Sequence, residues 1–193
     1  MYLFQKYSIE SLPDEIALQE IANFVEANYP ESHSQKQKTT DIANQRNIQL
    51  QKEKFQTTNT TLMIARDTSN RIVGLLERQE APVEGGVYFF ITWIIVSELA
   101  KGTGLAKELH DMFENEVRTR KKEISLPSIQ ILAVHPENHR ARAAYKKWGY
   151  TEDGRTSTSG NDYLFDFSCI SLRSSLRISL RRTDRRRRNQ AIR

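Results

Sequence analysis

A chain of 193 residues is long enough for one domain with a sizeable buried core. Hydrophobic residues make up 38% of it and charged residues 27%, which excludes an intrinsically disordered chain. The longest apolar run, Val87–Val96, has about half of the roughly 20 residues that a membrane-spanning helix needs. The sequence therefore predicts a globular protein that does not cross a bilayer.

Charge is unevenly distributed along the chain. Residues 171–193 hold nine arginines and one aspartate, a net charge of +8, and subtracting this from the total of +5 leaves −3 for residues 1–170. Cys169 is the single cysteine, which excludes an internal disulfide. The first residues lack the basic and apolar segments of a secretory signal, so we expect a cytoplasmic protein.

The first third of the chain predicts a strand followed by helices. Residues 1–9 alternate weakly, as a strand does. Pro13 and the acidic residues after it open a helical pattern, which Pro30 ends. The polar segment from Glu31 to Gln56 carries a loose apolar stripe and predicts one further helix.

Three strands are predicted next. Thr61–Arg66 and Arg71–Gln79 flank a turn-rich cluster and together predict a hairpin. Val87–Val96 is almost entirely β-branched or aromatic, which is typical of a central strand.

Helices and strands alternate in the second half of the chain. The predicted elements are a helix from Leu105 to Val117, a strand Ser128–Val134, a helix Asn138–Trp148, a loop Thr156–Asn161 and a final strand Asp162–Cys169. Asn138 is a good N-cap and Gly149 a good helix stop. The order of the elements predicts an α/β fold with helices on both faces of one sheet.

Residues 99–109 read LAKGTGLAKEL and place two glycines between the central strand and the next helix. The first N–H groups of a helix have no acceptor within it, and the helix dipole favours negative charge there, so this junction suits a phosphate. The spacing fits neither a P-loop nor a dinucleotide fingerprint, which needs a small residue in place of Lys107. Two interpretations remain, a shorter pyrophosphate cradle and a purely structural turn.

Residues 138–150 read NHRARAAYKKWGY, which puts Asn138, Ala141 and Tyr145 on one helical face. Together with LAKGTGLAKEL, this motif resembles the GCN5-related N-acetyltransferase (GNAT) superfamily, and the element order matches over about residues 1–169. The resemblance implies a mixed, mostly antiparallel central sheet of about six to seven strands with helices on both faces. It also implies a GNAT domain over residues 1–170, acetyl-CoA as co-substrate, and a primary amine of a small molecule or protein as acceptor.

In that family the glycine turn cradles the pyrophosphate of acetyl-CoA. The strand before the turn pairs with the pantetheine arm and supplies an N–H to the thioester oxygen. The resemblance implies cofactor contacts by Ile94, Ile95, Val96, Ala100, Lys101, Gly102, Thr103, Gly104, Leu105, Ala106 and Asn138. Lys101 is either a phosphate contact or a solvated loop residue, and Asn138 is an N-cap, a cofactor contact, or both.

Two features depart from the family pattern. Leu99 stands where the family has Arg or Gln. The segment between Val96 and the turn is also shorter than usual, which leaves the strand register open by one or two residues.

Tyr145 matches the family tyrosine that protonates the departing thiolate after direct attack by the amine; the alternative is a packed aromatic side chain. No general base is assigned. Relatives that acetylate protein N-termini carry a glutamate where this chain has Ala133. Tyr88, Glu84 and His135 are nearby in sequence, and a water relay is also open.

Other classes of function are less favoured. His135 and His139 lack a third ligand, so no metal site is predicted, and His33 and His110 are expected at the surface. The Arg-rich tail, residues 171–193, is expected to be flexible or partly helical. A solvated extension is favoured over contact with nucleic acid or an anionic membrane.

Two alternatives stay open for the domain itself. A non-catalytic acyl-CoA-binding or regulatory module on the same fold would also fit Leu99 and the missing base. The resemblance also allows a homodimer.

Overall fold

The computed structural model describes residues 1–29, 35–83, 85–124, 126–134, 138–156 and 165–169. The elements are β1 Leu3–Tyr7, α1 Glu15–Ala27, α2 Gln35–Arg46, α3 Ile48–Thr57, β2 Thr60–Arg66, β3 Ile72–Val83, β4 Gly86–Val96, α4 Leu105–Glu123, β5 Ser128–Val134, α5 His139–Lys147, β6 Thr151–Thr156 and β7 Phe165–Cys169. One turn of 3-10 helix, Glu98–Ala100, lies between β4 and α4. The tail lies outside the described residues, so the predicted domain boundary at residue 170 stays a prediction.

Seven strands form one sheet in the order β1-β2-β3-β4-β5-β7-β6. All neighbouring strands are antiparallel except β4 and β5, which are parallel. The predicted mixed, mostly antiparallel sheet is therefore confirmed. The last strand, β7, inserts between β5 and β6, an order that chain sequence alone does not predict.

The sheet is covered on both faces. On the first, which we call the α4–α5 face, Leu105, Phe113 and Tyr145 pack into one core cluster with the sheet. On the second, the α1–α3 face, Val25 and Phe55 contribute to a separate cluster. Helices on both faces of one sheet are thus confirmed.

The start of α4 is held tightly against the sheet. A Cβ added at Gly74 of β3 would lie 2.8 Å from Cδ2 of Leu105, a distance shorter than real side-chain contacts. Glycine at this position therefore lets the Leu105 side chain, in the first turn of α4, pack closely against β3.

The predicted helix over Glu31–Gln56 is wrong in one respect, because α2 and α3 are two helices that meet at Asn47. The Asn47 side chain accepts a hydrogen bond from the Leu50 N–H at 3.0 Å and so caps a new helix. Thr156, predicted in a loop, is instead the last residue of β6.

The other predicted elements are confirmed with small changes at their ends. α1 ends at Ala27, before Pro30, and β3 extends beyond the predicted Gln79 to Val83. Gly149 follows α5 with a φ of +95°, as expected of a helix stop. Among the described residues, no helix combines the length and the apolar character needed to cross a membrane.

Candidate active site

Strands β4 and β5 pair along only part of their length. Their parallel register ends at Ile91, which lies opposite Leu132. Beyond that point β5 continues beside β7, and β4 continues beside β3. The edge of β4 that faces β5 therefore has no strand partner from Thr92 to Val96 in the described part of the chain.

A β-bulge marks the point of separation. Glu77 of β3 pairs with Trp93, but the next residue, Arg78, pairs with Ile91, which leaves Thr92 as the extra residue of β4. Bulges bend a strand and are common next to active sites. Sequence reasoning missed this bulge, although Thr92 is visible as the one hydroxyl residue within the apolar run.

The side chains beyond the bulge are only partly covered. Thr92, Trp93, Ile94 and Val96 are half-buried, although they belong to a central strand between two helical layers. From this partial exposure and the edge without a strand partner we infer a crevice beside this part of β4. Ile95 is buried in the α1–α3 cluster, so only its backbone is available to a ligand.

The two sequence motifs meet at one edge of the sheet. Because β4 and β5 are parallel, their carboxyl ends lie at the same edge, and ligands of α/β proteins bind preferentially there. β4 leads into the glycine turn, and β5 leads toward Asn138. Leu105 of α4 and Tyr145 of α5 share one core cluster, so both motifs also lie on the same face.

The glycine turn has a backbone shape that other residues rarely adopt. Gly102 has a φ of +83° and Gly104 a φ of +91°, both in the left-handed region. A Cβ added at either glycine would meet no atom within 4 Å, so the space in front of the turn is open. The glycines are therefore required for the shape of the turn and not for packing.

The turn presents backbone N–H groups to that open space. Thr103 N–H donates to the Ala100 carbonyl at 3.3 Å, and Leu105 N–H reaches Oγ1 of Thr103 over 3.4 Å. The amides with no acceptor among the described residues are those of Gly102, Gly104, Ala106 and Lys107. Such a group of donors at a helix N-terminus fits a pyrophosphate.

The side chains of the turn play different parts. Lys101 forms an ion pair with Glu98, which offsets part of its charge. Leu99 is 81% exposed, so an apolar side chain faces solvent at this point. Ala100 and Leu105 are buried and can offer a ligand only their backbone.

Thr103 is held by contacts within the protein. Its Oγ1 donates to the Ala100 carbonyl at 2.8 Å and accepts the hydroxyl hydrogen of Tyr2 at 3.0 Å. Tyr2 precedes β1, so the first strand of the chain helps to hold the turn. Nothing in the sequence pattern indicated this contact.

Asn138 caps α5. Its Oδ1 accepts the N–H of Ala141 at 3.1 Å, which confirms the predicted N-cap. A contact between Asn138 and the coenzyme stays a prediction.

Tyr145 is buried among aromatic rings, with 9% of its surface exposed. The Trp148 ring meets it edge-on with centroids 5.4 Å apart, and the Tyr150 ring lies at 6.0 Å. Burial raises the pKa of the Tyr145 phenol to about 12. The phenol is therefore protonated at neutral pH and can act as a proton donor, while its role as the catalytic acid stays a prediction.

The expectation that His110 lies at the surface is wrong. His110 is 2% exposed, its Nε2 lies 2.9 Å from the Tyr150 hydroxyl, and its ring packs 4.6 Å from Trp148. Burial lowers its pKa to about 4, so the imidazole is neutral. The apolar stripe of α4 shows which residues face the sheet, but it does not show that Trp148 and Tyr150, which follow α5, cover His110.

The candidate bases suggested by the sequence gain little support. Tyr88 pairs with Ile129, in the part of β4 that is still joined to β5, and so lies before the crevice. Glu84 and His135 lie outside the described residues, as does His33, which is expected at the surface. Glu77 of β3, which no sequence pattern singled out, is a carboxylate beside the bulge.

A separate hollow of about 390 Å³ lies between β1 and the start of α1. Arg66 and Glu20, two of its lining residues, form a bidentate ion pair with both N–O distances at 2.7 Å. β1 is the edge strand, three positions from β4, so this hollow is distinct from the crevice.

A family model described as an acetyltransferase (GNAT) domain matches residues 22–163. A search of curated proteins found no significant match.

Solved structures share the fold. An N-acetyltransferase, PaiA of Thermoplasma acidophilum in complex with coenzyme A, is 15% identical, with 86% of this chain and 98% of that chain covered and a TM-score of 0.60. The ribosomal-protein-S18-alanine N-acetyltransferase of Escherichia coli is 14% identical over 91% and 97% of the two chains, with a TM-score of 0.58. A chain of the NatC complex bound to Gag peptide and CoA is 16% identical over 86% and 95%, with a TM-score of 0.57. At these identities the likeness establishes the fold.

Proposed function

Because the chain belongs to the GNAT acetyltransferase family, we propose that it transfers an acetyl group from acetyl-CoA to a primary amine by direct attack. The observation that carries this proposal is the arrangement at the carboxyl ends of β4 and β5. Among the described residues, the amides at the start of α4 have no acceptor and the end of β4 has no strand partner on the side of β5. These groups and the buried phenol of Tyr145 lie at one edge of the sheet, and the glycine turn and Tyr145 also share one face of it.

The residues present fit acetyl-CoA. The amides of Gly102, Gly104 and Ala106 would hold the pyrophosphate, since the space before them is open and they have no acceptor among the described residues. The unpaired edge from Ile94 to Val96 would pair with the pantetheine arm, as a neighbouring strand would. The coenzyme supplies the activated acetyl group, and the protein holds that group in position for attack by the amine.

Tyr145 has the properties that the leaving group requires. When the neutral amine nitrogen bonds to the acetyl carbon, the carbon–sulfur bond breaks, the nitrogen gives up one proton to solvent, and the sulfur takes up one proton. A phenol with a pKa of about 12 holds its proton at neutral pH until a thiolate forms beside it. Proton transfer from a positioned side chain contributes about 10²–10⁴ in rate.

A thermal-shift measurement with coenzyme A, paired with an assay of thiol release from acetyl-CoA, tests the proposal. Coenzyme A at about 100 times its Kd should add about 2.7 kcal/mol to the stability of the folded state. Thiol release should then depend on an added amine. An unchanged melting temperature with coenzyme A would contradict the pyrophosphate cradle. A raised melting temperature without amine-dependent thiol release would favour the non-catalytic acyl-CoA-binding module.

A further inference from the structure

A buried ion pair lies on the α1–α3 face beside the crevice. Glu77 of β3 is 4% exposed, and its Oε1 lies 2.6 Å from Nζ of Lys54 on α3. Glu77 pairs across the sheet with Trp93, the residue that follows the bulge at Thr92. The carboxylate is therefore one strand away from the point where β4 and β5 separate.

Stability is a poor explanation for this pair. Removing two charges from water often costs as much as their attraction returns, and apolar residues of similar volume can replace such pairs without loss. A buried carboxylate one strand away from a crevice is, in contrast, well placed to bind a cationic ligand. Glu77 is therefore a candidate for binding a ligand in addition to its ion pair with Lys54.

The α1–α3 face is the side of the crevice opposite the glycine turn and Tyr145. The glycine turn and Tyr145 belong to the α4–α5 face, so a coenzyme held by the turn covers the crevice from that side. The opposite side is bordered by Trp93, which is half-buried and packs against the α1–α3 cluster. Trp93 lies opposite Glu77 on the neighbouring strand, and its ring meets that of Tyr29 edge-on with centroids 5.7 Å apart. Indole rings and carboxylates are both groups that bind an alkylammonium ion.

Two nearby side chains, those of Lys54 and Thr92, indicate which kind of ligand Glu77 binds. Lys54 presents an alkylammonium to Glu77 on a flexible four-carbon stem, and 20% of its side chain is exposed, so it can move away. Thr92 has a buried Oγ1 without a hydrogen-bond partner in the described part of the chain. The bulge therefore holds an oxygen that is available to a further N–H donor.

We propose that Glu77 binds the acceptor of acetyl transfer, and that this acceptor is a primary alkylamine whose ammonium replaces that of Lys54. The bound ammonium releases one proton to water before its nitrogen attacks, because only the neutral amine has the lone pair that bonds to the acetyl carbon. The inference rests on the proposed acetyl transfer, because only a transferase has an acceptor to bind. Lys54 is an internal competitor that occupies the carboxylate until the acceptor arrives. Glu77 thus selects amines that are cationic at neutral pH over arylamines, which are uncharged.

Steady-state kinetics with saturating acetyl-CoA test this assignment. The acceptors are n-butylamine, which is cationic at neutral pH, and aniline, which is not. Glu77→Gln should raise the KM for n-butylamine by about tenfold or more and leave that for aniline unchanged. Lys54→Met should lower the KM for n-butylamine because the competitor is gone. Lys52→Met, on the same helix but in a more exposed pair with Glu15, should change the KM by less than about twofold.

The opposite changes in KM expected for Glu77→Gln and Lys54→Met distinguish a role in acceptor binding from a purely structural role. If the pair only stabilised the fold, both variants would break it and both would impair turnover of either amine. Changes of KM in the same direction for Glu77→Gln and Lys54→Met, or equal changes for the two amines, would overturn the assignment. If Lys54→Met does not fold, Lys54→Gln, which keeps a hydrogen-bonding partner for Glu77, takes its place.

A binding measurement keeps this test independent of catalysis. In Lys54→Met the carboxylate has lost its lysine, so n-butylammonium chloride should raise the melting temperature above that in equimolar sodium chloride. The double variant Lys54→Met, Glu77→Gln should show no such rise. No rise in Lys54→Met would overturn the role of Glu77. A protein that shows the rise but acetylates no amine would instead contradict the proposed acetyl transfer.

Discussion

Replacing His110 by glutamine removes an imidazole that the fold holds neutral. Burial against Trp148 and Tyr150 lowers the pKa of His110 from its ordinary value of 6.5 to about 4, while Asp111 raises the pKa and Lys107 lowers it to smaller extents. The unfolded chain therefore takes up a proton at a pH where the folded protein does not. The folded state has its full stability above about pH 6.5 and loses stability as the pH falls toward 4.

The size of this effect follows from the pKa difference. A difference of about 2.5 in pKa corresponds to about 3 kcal/mol over the whole range. Between about pH 7.5 and pH 5, the same two pKa values give a loss of about 2 kcal/mol from this group alone. That is a large fraction of the ~5–15 kcal/mol that stabilises a typical domain.

Urea unfolding at these two pH values, followed by the fluorescence of the two tryptophans, measures the effect. Other titrating groups contribute equally to the wild type and the variant, so the difference between their pH dependences isolates His110. His110→Gln should lose about 2 kcal/mol less than the wild type on acidification. Tyr150→Phe removes the hydrogen bond but leaves the buried imidazole, so it should keep the wild-type dependence. If His110→Gln kept that dependence as well, a buried neutral imidazole would be refuted.

Three further predictions concern the site and the tail. Tyr145→Phe should lower kcat by about 10² or more with little change in the Kd of coenzyme A, measured by thiol release and calorimetry; an unchanged kcat would remove Tyr145 from the mechanism. Gly104→Val places a β-branched residue at a φ of +91°, so it should lower the free energy of unfolding by about 1–3 kcal/mol. It should also reduce the rise in melting temperature that coenzyme A causes. A variant with wild-type stability and a wild-type response to coenzyme A would contradict the pyrophosphate cradle. Truncation after residue 170 should leave folding, coenzyme binding and activity intact, and a loss of coenzyme binding would show that the tail belongs to the domain.

Local patterns predicted most of the elements and the outline of the site. Such patterns are the β-branched run of β4, the two glycines after it and the apolar spacing of α4. Each of them depends only on residues that are close together in the sequence. Asn138 and Gly149 likewise mark the ends of α5 because caps and stops depend on the backbone next to them. The family resemblance rested on these same short segments.

The break between α2 and α3 shows where such patterns become ambiguous. Asn47 has a low preference for a helix interior and a high preference for an N-cap, but a weak apolar stripe on both sides was equally compatible with one helix. Only the tertiary structure shows that the segment forms two helices, α2 and α3.

The chain sequence by itself determined the class of the protein: a mixed α/β domain with a glycine turn and a tyrosine-bearing helix in the order that the GNAT family uses. The tertiary structure alone decided that β4 and β5 part at Thr92, that His110 is buried against Tyr150, and that Glu77 meets Lys54 beside the crevice. The physical reason is the range of the interactions. Capping, turns and amphipathic spacing act over a few residues, whereas pKa values and buried ion pairs depend on residues that only the folded sheet and its two helical layers bring together.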